Sequence, residues 1–251
     1  MKFLFIVQGE GRGHFTQAIT LEEMLLRNGH EVVEVLVGKS STRTLPGFFN
    51  RSIHAPVKRF ISPNFLPTAD NKRANLTKSF AYNLLRLPEY LRSMYYINQR
   101  IRETGAEVVI NFYELLTGLT YALFRPSVPY ICVGHQYLFL HRDFEFPDKN
   151  SCQLWMLRFF TRMTALRSSK KLALSFLEME QDDMNQIVTV PPLIRQEVTA
   201  IRPEKGDYIH GYMVNSGFAD SVESFHAKHP EVPLTFFWDR SDADCLLYTS
   251  P

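Results

Sequence analysis

The 251-residue chain has little cysteine: Cys132, Cys152 and Cys245 are odd in number and far apart. That spacing makes neither a disulfide framework nor a zinc-ligand pattern, and it favours a reducing compartment. Charge of one sign is not in excess either. Lys and Arg total 28 against 26 Asp and Glu, a net charge of +2, which excludes a wholly basic nucleic-acid-binding surface though not a local patch. No run approaches the ~18–20 apolar residues that span a bilayer. The apolar start, Met1–Val7, stops at Gln8, too short for a secretion signal, and no small-residue cleavage site follows. A cytoplasmic location is therefore expected, in which Asn50-Arg51-Ser52 and Asn75-Leu76-Thr77 carry no meaning as glycosylation patterns. Internal repeats and low-complexity tracts are absent. What is present is a globular composition, 45% apolar and 22% charged, with 20 Phe and 11 Tyr. The length allows one large domain or two small ones.

Lys2–Gln8 is a continuous apolar run, as expected of a strand buried on both faces of a parallel sheet. Gly9–Gly13 reads as a tight turn. His14–Asn28 carries Ala18, Leu21 and Leu25 at helical spacing and stops at Gly29. Glu31–Val37 is a second strand, so the opening is a βαβ unit with a right-handed crossover. Ser62–Asn75, with Pro63, Pro67 and Asp70-Asn71, reads as a long loop. Leu76–Thr104 is helical, broken at Pro88. Strand Glu107–Asn111, helix Glu114–Phe124, strand Val128–Val133, helix Leu154–Ser168 and strand Lys171–Ser175 follow. Glu178, Glu180, Asp182 and Asp183 read as a solvated loop, and Val188–Leu193, with Pro191-Pro192, as an extended connection rather than a central strand. Asp207–Val214, Phe218–Lys228 and Leu234–Trp238 begin a second strand–helix–strand series. The division predicted is a domain over 1–190, a linker over 191–206 and the start of a second domain over 207–244.

Gly9-Glu10-Gly11-Arg12-Gly13-His14 is the first candidate for chemistry. Its glycines permit a sharp turn and close approach to a ligand, and the helix that follows offers free N–H groups and a positive dipole end. It is not the dinucleotide fingerprint, whose third glycine would fall at His14, nor a P-loop, which ends in Gly-Lys-Ser/Thr. A purely structural turn remains the alternative. His14 lies in the first helical turn, at the sheet edge where open α/β folds bind ligands. The dipole there lowers its pKa and keeps the imidazole neutral, able to accept a proton; the alternative is a simple cap. Glu114 opens a helix directly after a strand, placed either to contact sugar hydroxyls or to stabilise the helix start. His135 and Gln136 occupy the next such loop.

Gly9–His14, between first strand and helix, resembles the opening of GT-B glycosyltransferases. It is nearest to the family 28 enzymes that add N-acetylglucosamine to the lipid-linked peptidoglycan precursor. Val133-Gly134-His135-Gln136-Tyr137 resembles their His-x-Gln-Asn stretch, without the acidic residue and with Tyr137 for Asn. Gly211-Tyr212-Met213-Val214-Asn215-Ser216-Gly217 is similar to the loop of the second domain that faces the donor nucleotide. The likeness covers residues 1–240 and extends to uncharacterised bacterial glycosyltransferase-like proteins. It implies an α/β fold with two Rossmann-like domains, an acceptor side in the first and the nucleotide-sugar in the second. By the same resemblance His14 is catalytic, Gly9, Gly11, Gly13, Glu114, His135 and Gln136 are substrate-binding, and Ser216 and Gly217 are nucleotide-binding. It further implies a nucleotide-sugar co-substrate, no other cofactor, no catalytic metal, and a glycan or lipid-linked acceptor. A nucleotide-sugar 2-epimerase, or a sugar-binding protein without turnover, stays open on the same fold.

Asp242-Ala243-Asp244 spells the metal-binding triplet of other transferases, but it adjoins Cys245–Pro251, which matches the translation of a sequencing-library adapter. The expectation is that 245–251 has no evolved role, that the natural chain continues past Asp244, and that the piece as given is inactive; the alternative is a natural C-terminal turn. Asp182-Asp183 lacks the companions of a metal site. Two basic–aromatic stretches, Lys72–Glu103 and Trp155–Lys171, either pack aromatics into the core or lie on anionic lipid. The latter would put the protein at the inner membrane face; core packing is the preferred expectation.

Overall fold

The N-terminal apolar run forms strand β1 (Lys2–Val7), buried from Phe3 onward. Its side chains alternate between two separate apolar clusters. Leu4 and Ile6 join Ile97, Ile101 and Val109, while Phe3, Phe5 and Val7 join Phe15, Ile19 and Phe49. A strand apolar on both faces belongs inside a sheet covered on both sides. Seven parallel strands supply that sheet: β1, β2 (Glu31–Lys39), β3 (Val57–Ile61), β4 (Val108–Phe112), β5 (Tyr130–Val133), β6 (Lys170–Leu174) and β7 (Ile187–Val190). Their spatial order is β3-β2-β1-β4-β5-β6-β7. In this computed structural model the described residues are 1–39, 45–64, 66, 76–146, 152–213 and 216–237. The Asp242-Ala243-Asp244 triplet, the 245–251 segment, Trp238 and most of the 62–75 loop lie outside them.

Contacts divide the chain into two units, Met1–Asn64 with Leu85–Ala200, and Phe65–Leu84 with Ile201–Pro251. The grouping of Phe65–Leu84 with the C-terminal segment was not visible in the sequence. In the first unit, α1 (Arg12–Arg27) lays Phe15, Ala18 and Ile19 on the Phe3–Phe5–Val7 face. The long helical stretch breaks where Pro88 predicts: α4 (Leu87–Glu103), with the proline in its first turn, belongs to this unit, whereas α3 (Leu76–Leu85) falls in the second up to Leu84. Helices α5 (Leu115–Phe124) and α6 (Cys152–Thr164) complete the Leu4–Ile6 face, while α7 (Gln196–Ala200) closes the unit. In the second unit β8 (Ile209–Tyr212) and β9 (Leu234–Phe237) pair in parallel across α8 (Ala219–Lys228).

Four local readings need correction. A short helix α2 (Gly47–Ser52) and strand β3 escaped the sequence pattern. Both are brief, and β3 carries the exposed Lys58 and Arg59 expected of an edge. Glu34 on β2 is buried and bonded by Lys58 at 2.8 Å and by the Arg100 guanidinium at 2.8 and 3.0 Å, which ties α4 to that edge. Ile187–Val190 is a true edge strand, because the prolines follow it rather than interrupt it. Asp182 is buried, not solvated. It accepts from Arg142 N at 2.9 Å, Asn185 N at 3.1 Å and Asn185 Nδ2 at 2.7 Å. On α6, Phe160 packs against the core but Trp155 and Phe159 are exposed and stacked on each other, so core packing accounts for only part of that stretch.

Helices α5 and α6 approach so closely because α5 carries Gly118. A Cβ there would stand 2.1 Å from the Met163 carbonyl oxygen. Gly118→Ala should therefore lower the unfolding free energy by about 1–3 kcal/mol. Gly13→Ala, with nothing within 4 Å of the added carbon, should leave it unchanged or raise it by up to about 1 kcal/mol. Urea denaturation of the two variants checks the contrast.

Candidate active site

All seven strands of the first unit run the same way, so the loops after β1, β2, β4 and β5 open at one edge of the sheet. Gly9 sits backbone against backbone on the end of β2: a Cβ would lie 1.9 Å from Gly38 O. Gly38 leaves no more room, since its Cβ would stand 2.6 Å from Glu114 Oε2 and 2.9 Å from Ser62 Cβ. Both positions need glycine for space. Gly11 is the N-cap residue of α1 and provides no side-chain cap. Gly13 is crowded by nothing, so the chain itself does not require glycine there.

His14 is the third residue of α1 and is buried. Gln136 Nε2 donates to His14 Nε2 at 3.3 Å, and Nδ1 has no hydrogen-bond partner. The ring lies parallel to His135, with centroids 6.5 Å apart, and nearly parallel to Tyr113 at 5.9 Å. Burial first, then the neighbouring His135, lowers its pKa from 6.5 to about 4, while Gln17 opposes part of that fall. The imidazole is neutral, as the sequence predicts, but loss of water is the main cause.

Tyr113 reaches His14 through a backbone that most residues avoid. Its φ is 61°, in the left-handed region, which costs a bulky residue roughly 1–2 kcal/mol. Its hydroxyl shares a 2.8 Å hydrogen bond with Thr161 Oγ1. No glycine or asparagine signals this turn in the sequence, so Tyr113 was missed. Asn111, also missed, is wholly buried. Its Nδ2 donates to Glu114 O at 3.2 Å and Thr164 O at 2.9 Å, and its Oδ1 accepts from Glu114 N at 2.9 Å.

Glu114 is the N-cap of α5. Oε1 accepts from Ser62 Oγ at 2.6 Å and from Leu116 N at 3.2 Å, whereas Oε2 is buried without a partner. Burial raises its pKa to about 7, against the lowering effect of the Ser62 and Leu116 bonds; Glu10 adds to the rise. His14, His135 and Gln136 are thus in direct contact, and Glu114 borders the same edge through Gly38 and the adjacent Tyr113. A cavity of about 730 Å³ opens alongside, with Gln17 and His135 in its wall. Ser216 and Gly217 belong to the second unit, in the single turn before α8.

The sequence pattern of glycosyl transferase family 1 matches residues 1–237. The chain belongs to that family. This family 1 glycosyltransferase chain is similar in fold to GT-B enzymes of known structure. Arabidopsis thaliana UGT89C1 complexed with UDP aligns with a TM-score of 0.57 and 13% identity, over 99% of this chain and 70% of the other. Medicago truncatula UGT71G1 complexed with UDP-glucose gives 0.56 and 11%, over 98% and 68%. The Streptomyces sp. SF2575 glycosyltransferase SsfS6 complexed with thymidine diphosphate gives 0.55 and 13%, over 99% and 71%. At such identities the likeness concerns the fold, and this chain spans about seven tenths of their length. No curated protein sequence matches it. Among the described residues no three or more His, Cys, Asp or Glu are grouped to hold a metal ion, and no helix is long and apolar enough to cross a membrane.

The two shifted groups pull stability in opposite directions. Glu114 binds a proton more tightly in the folded chain, so its contribution to stability falls as pH rises from about 4.5 to 7. His14 binds one less tightly, so its contribution rises with pH between about 4 and 6.5. Glu114→Gln isolates the first effect. Relative to the parent chain it should gain about 3 kcal/mol of unfolding free energy between pH 4 and pH 8. A constant difference in urea titrations at the two pH values would mean an ordinary carboxyl.

Proposed function

We propose that the enzyme carrying this chain moves a sugar from a nucleotide-sugar donor to an acceptor hydroxyl by direct displacement, with His14 as general base. The observation that carries this reading is a buried, neutral imidazole at the uncapped start of α1, held by Gln136, whose neighbours Gln17 and His135 line a cavity of small-molecule size. The lone pair of His14 Nε2 now accepts from Gln136. An acceptor hydroxyl entering from the cavity replaces that donor, gives its proton to Nε2 and attacks the anomeric carbon, and the nucleoside diphosphate leaves.

UDP, UDP-glucose and thymidine diphosphate in the similar structures support a nucleotide-sugar donor. The resemblance in the glycine-rich opening supports substrate contacts at Gly9, Gly11 and Gly13, and that in the second unit supports nucleotide contacts at Ser216 and Gly217. The narrower kinship with peptidoglycan-precursor enzymes rests on the sequence motifs alone. Peripheral contact with a membrane belongs to the same proposal: exposed Trp155 and Phe159 on α6 stand in a stretch with Arg158 and Arg162 and no acid.

In the full gene product, His14→Ala should lower kcat by about 100-fold or more, and His14→Gln equally, since an amide cannot take the proton. Donor-nucleotide affinity should stay within about two-fold. The acid limb of kcat/KM, set by a base near pH 4, should fall below pH 5 rather than near 6.5. Unchanged kcat with weakened acceptor binding alone would make His14 a positioning residue.

A further inference from the structure

We infer that the cavity beside His14 takes a cationic amphiphile, a molecule with an apolar body and an amino or similar positive group. Under the glycosyltransferase reading, on which only this last step rests, that molecule is the acceptor and its hydroxyl is what His14 deprotonates.

Size and position come first. About 730 Å³ is within the range of small-molecule sites. The cavity shares its wall with the catalytic candidates: His135 faces the His14 ring, and Gln17 lies one helical turn beyond His14. Gln17 is 9% exposed, a buried amide that stands in the cavity wall and interacts with His14. The remaining wall is largely apolar, from Leu138, Phe144, Leu174, Phe176, Leu177 and Leu193. Phe144 is fixed by edge contacts with Phe139 and Phe146. Phe176 and Leu177, by contrast, are 87% and 75% exposed, apolar surface that an occupant of the cavity would cover.

Charge decides the class. Among the described residues the titratable groups in the wall are His135, Asp143, Glu145 and Glu178, with no lysine or arginine. Burial lowers the His135 pKa, so the ring is neutral at pH 7. Asp143 is matched by Arg142, whose Nε donates to it at 3.3 Å while its second arm reaches Glu180. Glu145 and Glu178 have no ion pair among the described residues. These two carboxylates and the rings of Phe144 and Phe176 line one cavity, so a cation there is attracted by charge and can also meet an aromatic ring. The same field repels a carboxylate or a phosphate, so an acceptor whose polar group is a diphosphate does not fit this cavity.

Three probes with one tail and different heads test the inference: decylammonium, decanol and decanoate, titrated calorimetrically into the chain below their micelle concentrations at pH 7 and low salt. Decylammonium should bind about five-fold or more tighter than decanol, and decanoate most weakly. The double variant Glu145→Gln, Glu178→Gln should bring decylammonium to the affinity of decanol and leave decanol itself unchanged, which also shows that the variant is folded. Phe176→Ala should weaken all three. The inference is overturned if decanoate or decanol matches decylammonium in the parent chain, or if the ranking survives in the double variant. These titrations need no turnover. A correct ranking in a protein that never transfers sugar would sink the glycosyltransferase reading alone, whereas a reversed ranking in an active enzyme would sink this inference alone.

Discussion

The side chain of Asn111 holds three pieces of backbone together, and the candidate site depends on it. Standing at the end of β4, it spends both amide protons on the carbonyls of Glu114 and Thr164 and accepts the Glu114 N–H in return. The exit of β4, the start of α5 and the end of α6 are thereby fixed to one another. Gly118 makes this possible from the other side, by letting α5 settle on the backbone of α6. Within so short a turn, Tyr113 has to take a left-handed conformation, and its ring falls against His14. Strain in that residue is offset by bonds made on either side of it, a common arrangement where a side chain must be aimed.

The same dryness acts on two groups with opposite results. At His14 the charged form is the protonated one, so burial empties it; at Glu114 the charged form is the ionised one, so burial fills it. One region of the fold thus presents an unprotonated base and an acid that titrates near neutrality. Glu114 is held to the residue after β3 and to α5 through Ser62 and Leu116, which leaves only Oε2 uncommitted. His14 is held by a single amide from the loop after β5. The acid is thus built into the scaffold, while the base rests on a contact that a substrate can replace.

Much of this was legible in the sequence, where local pattern and tertiary demand coincide. An unbroken apolar run could only be a central strand, Pro88 could only start or break a helix, and Glu114 sits where an N-cap must be. Convergence of Gly9, His14, Glu114, His135 and Gln136 follows from placing each after a parallel strand. What escaped is what only packing decides. Asn111 and Tyr113 look ordinary, and their importance comes from α6, some fifty residues away in the chain. Asp182 looks like one acid among several until the Arg142 backbone and Asn185 close around it. Strands β3 and β7 were blurred for one reason: each is short, half-exposed and bordered by proline, so neither repeats a pattern long enough to read.

Those two strands are the open ends of an otherwise saturated ladder. Among the described residues each has one side without a partner strand, although Asp182 bonds the Ile187 backbone of β7, and such unpaired backbone invites other chains to add on as further strands. Pro56 stands directly before β3, which bears Lys58 and Arg59 outward, and Pro191-Pro192 stands directly after β7. A neighbouring molecule can therefore extend the ladder for only a few residues before a missing N–H stops it. The features that hid these strands from a sequence reading are the ones that keep the sheet from growing into a fibre.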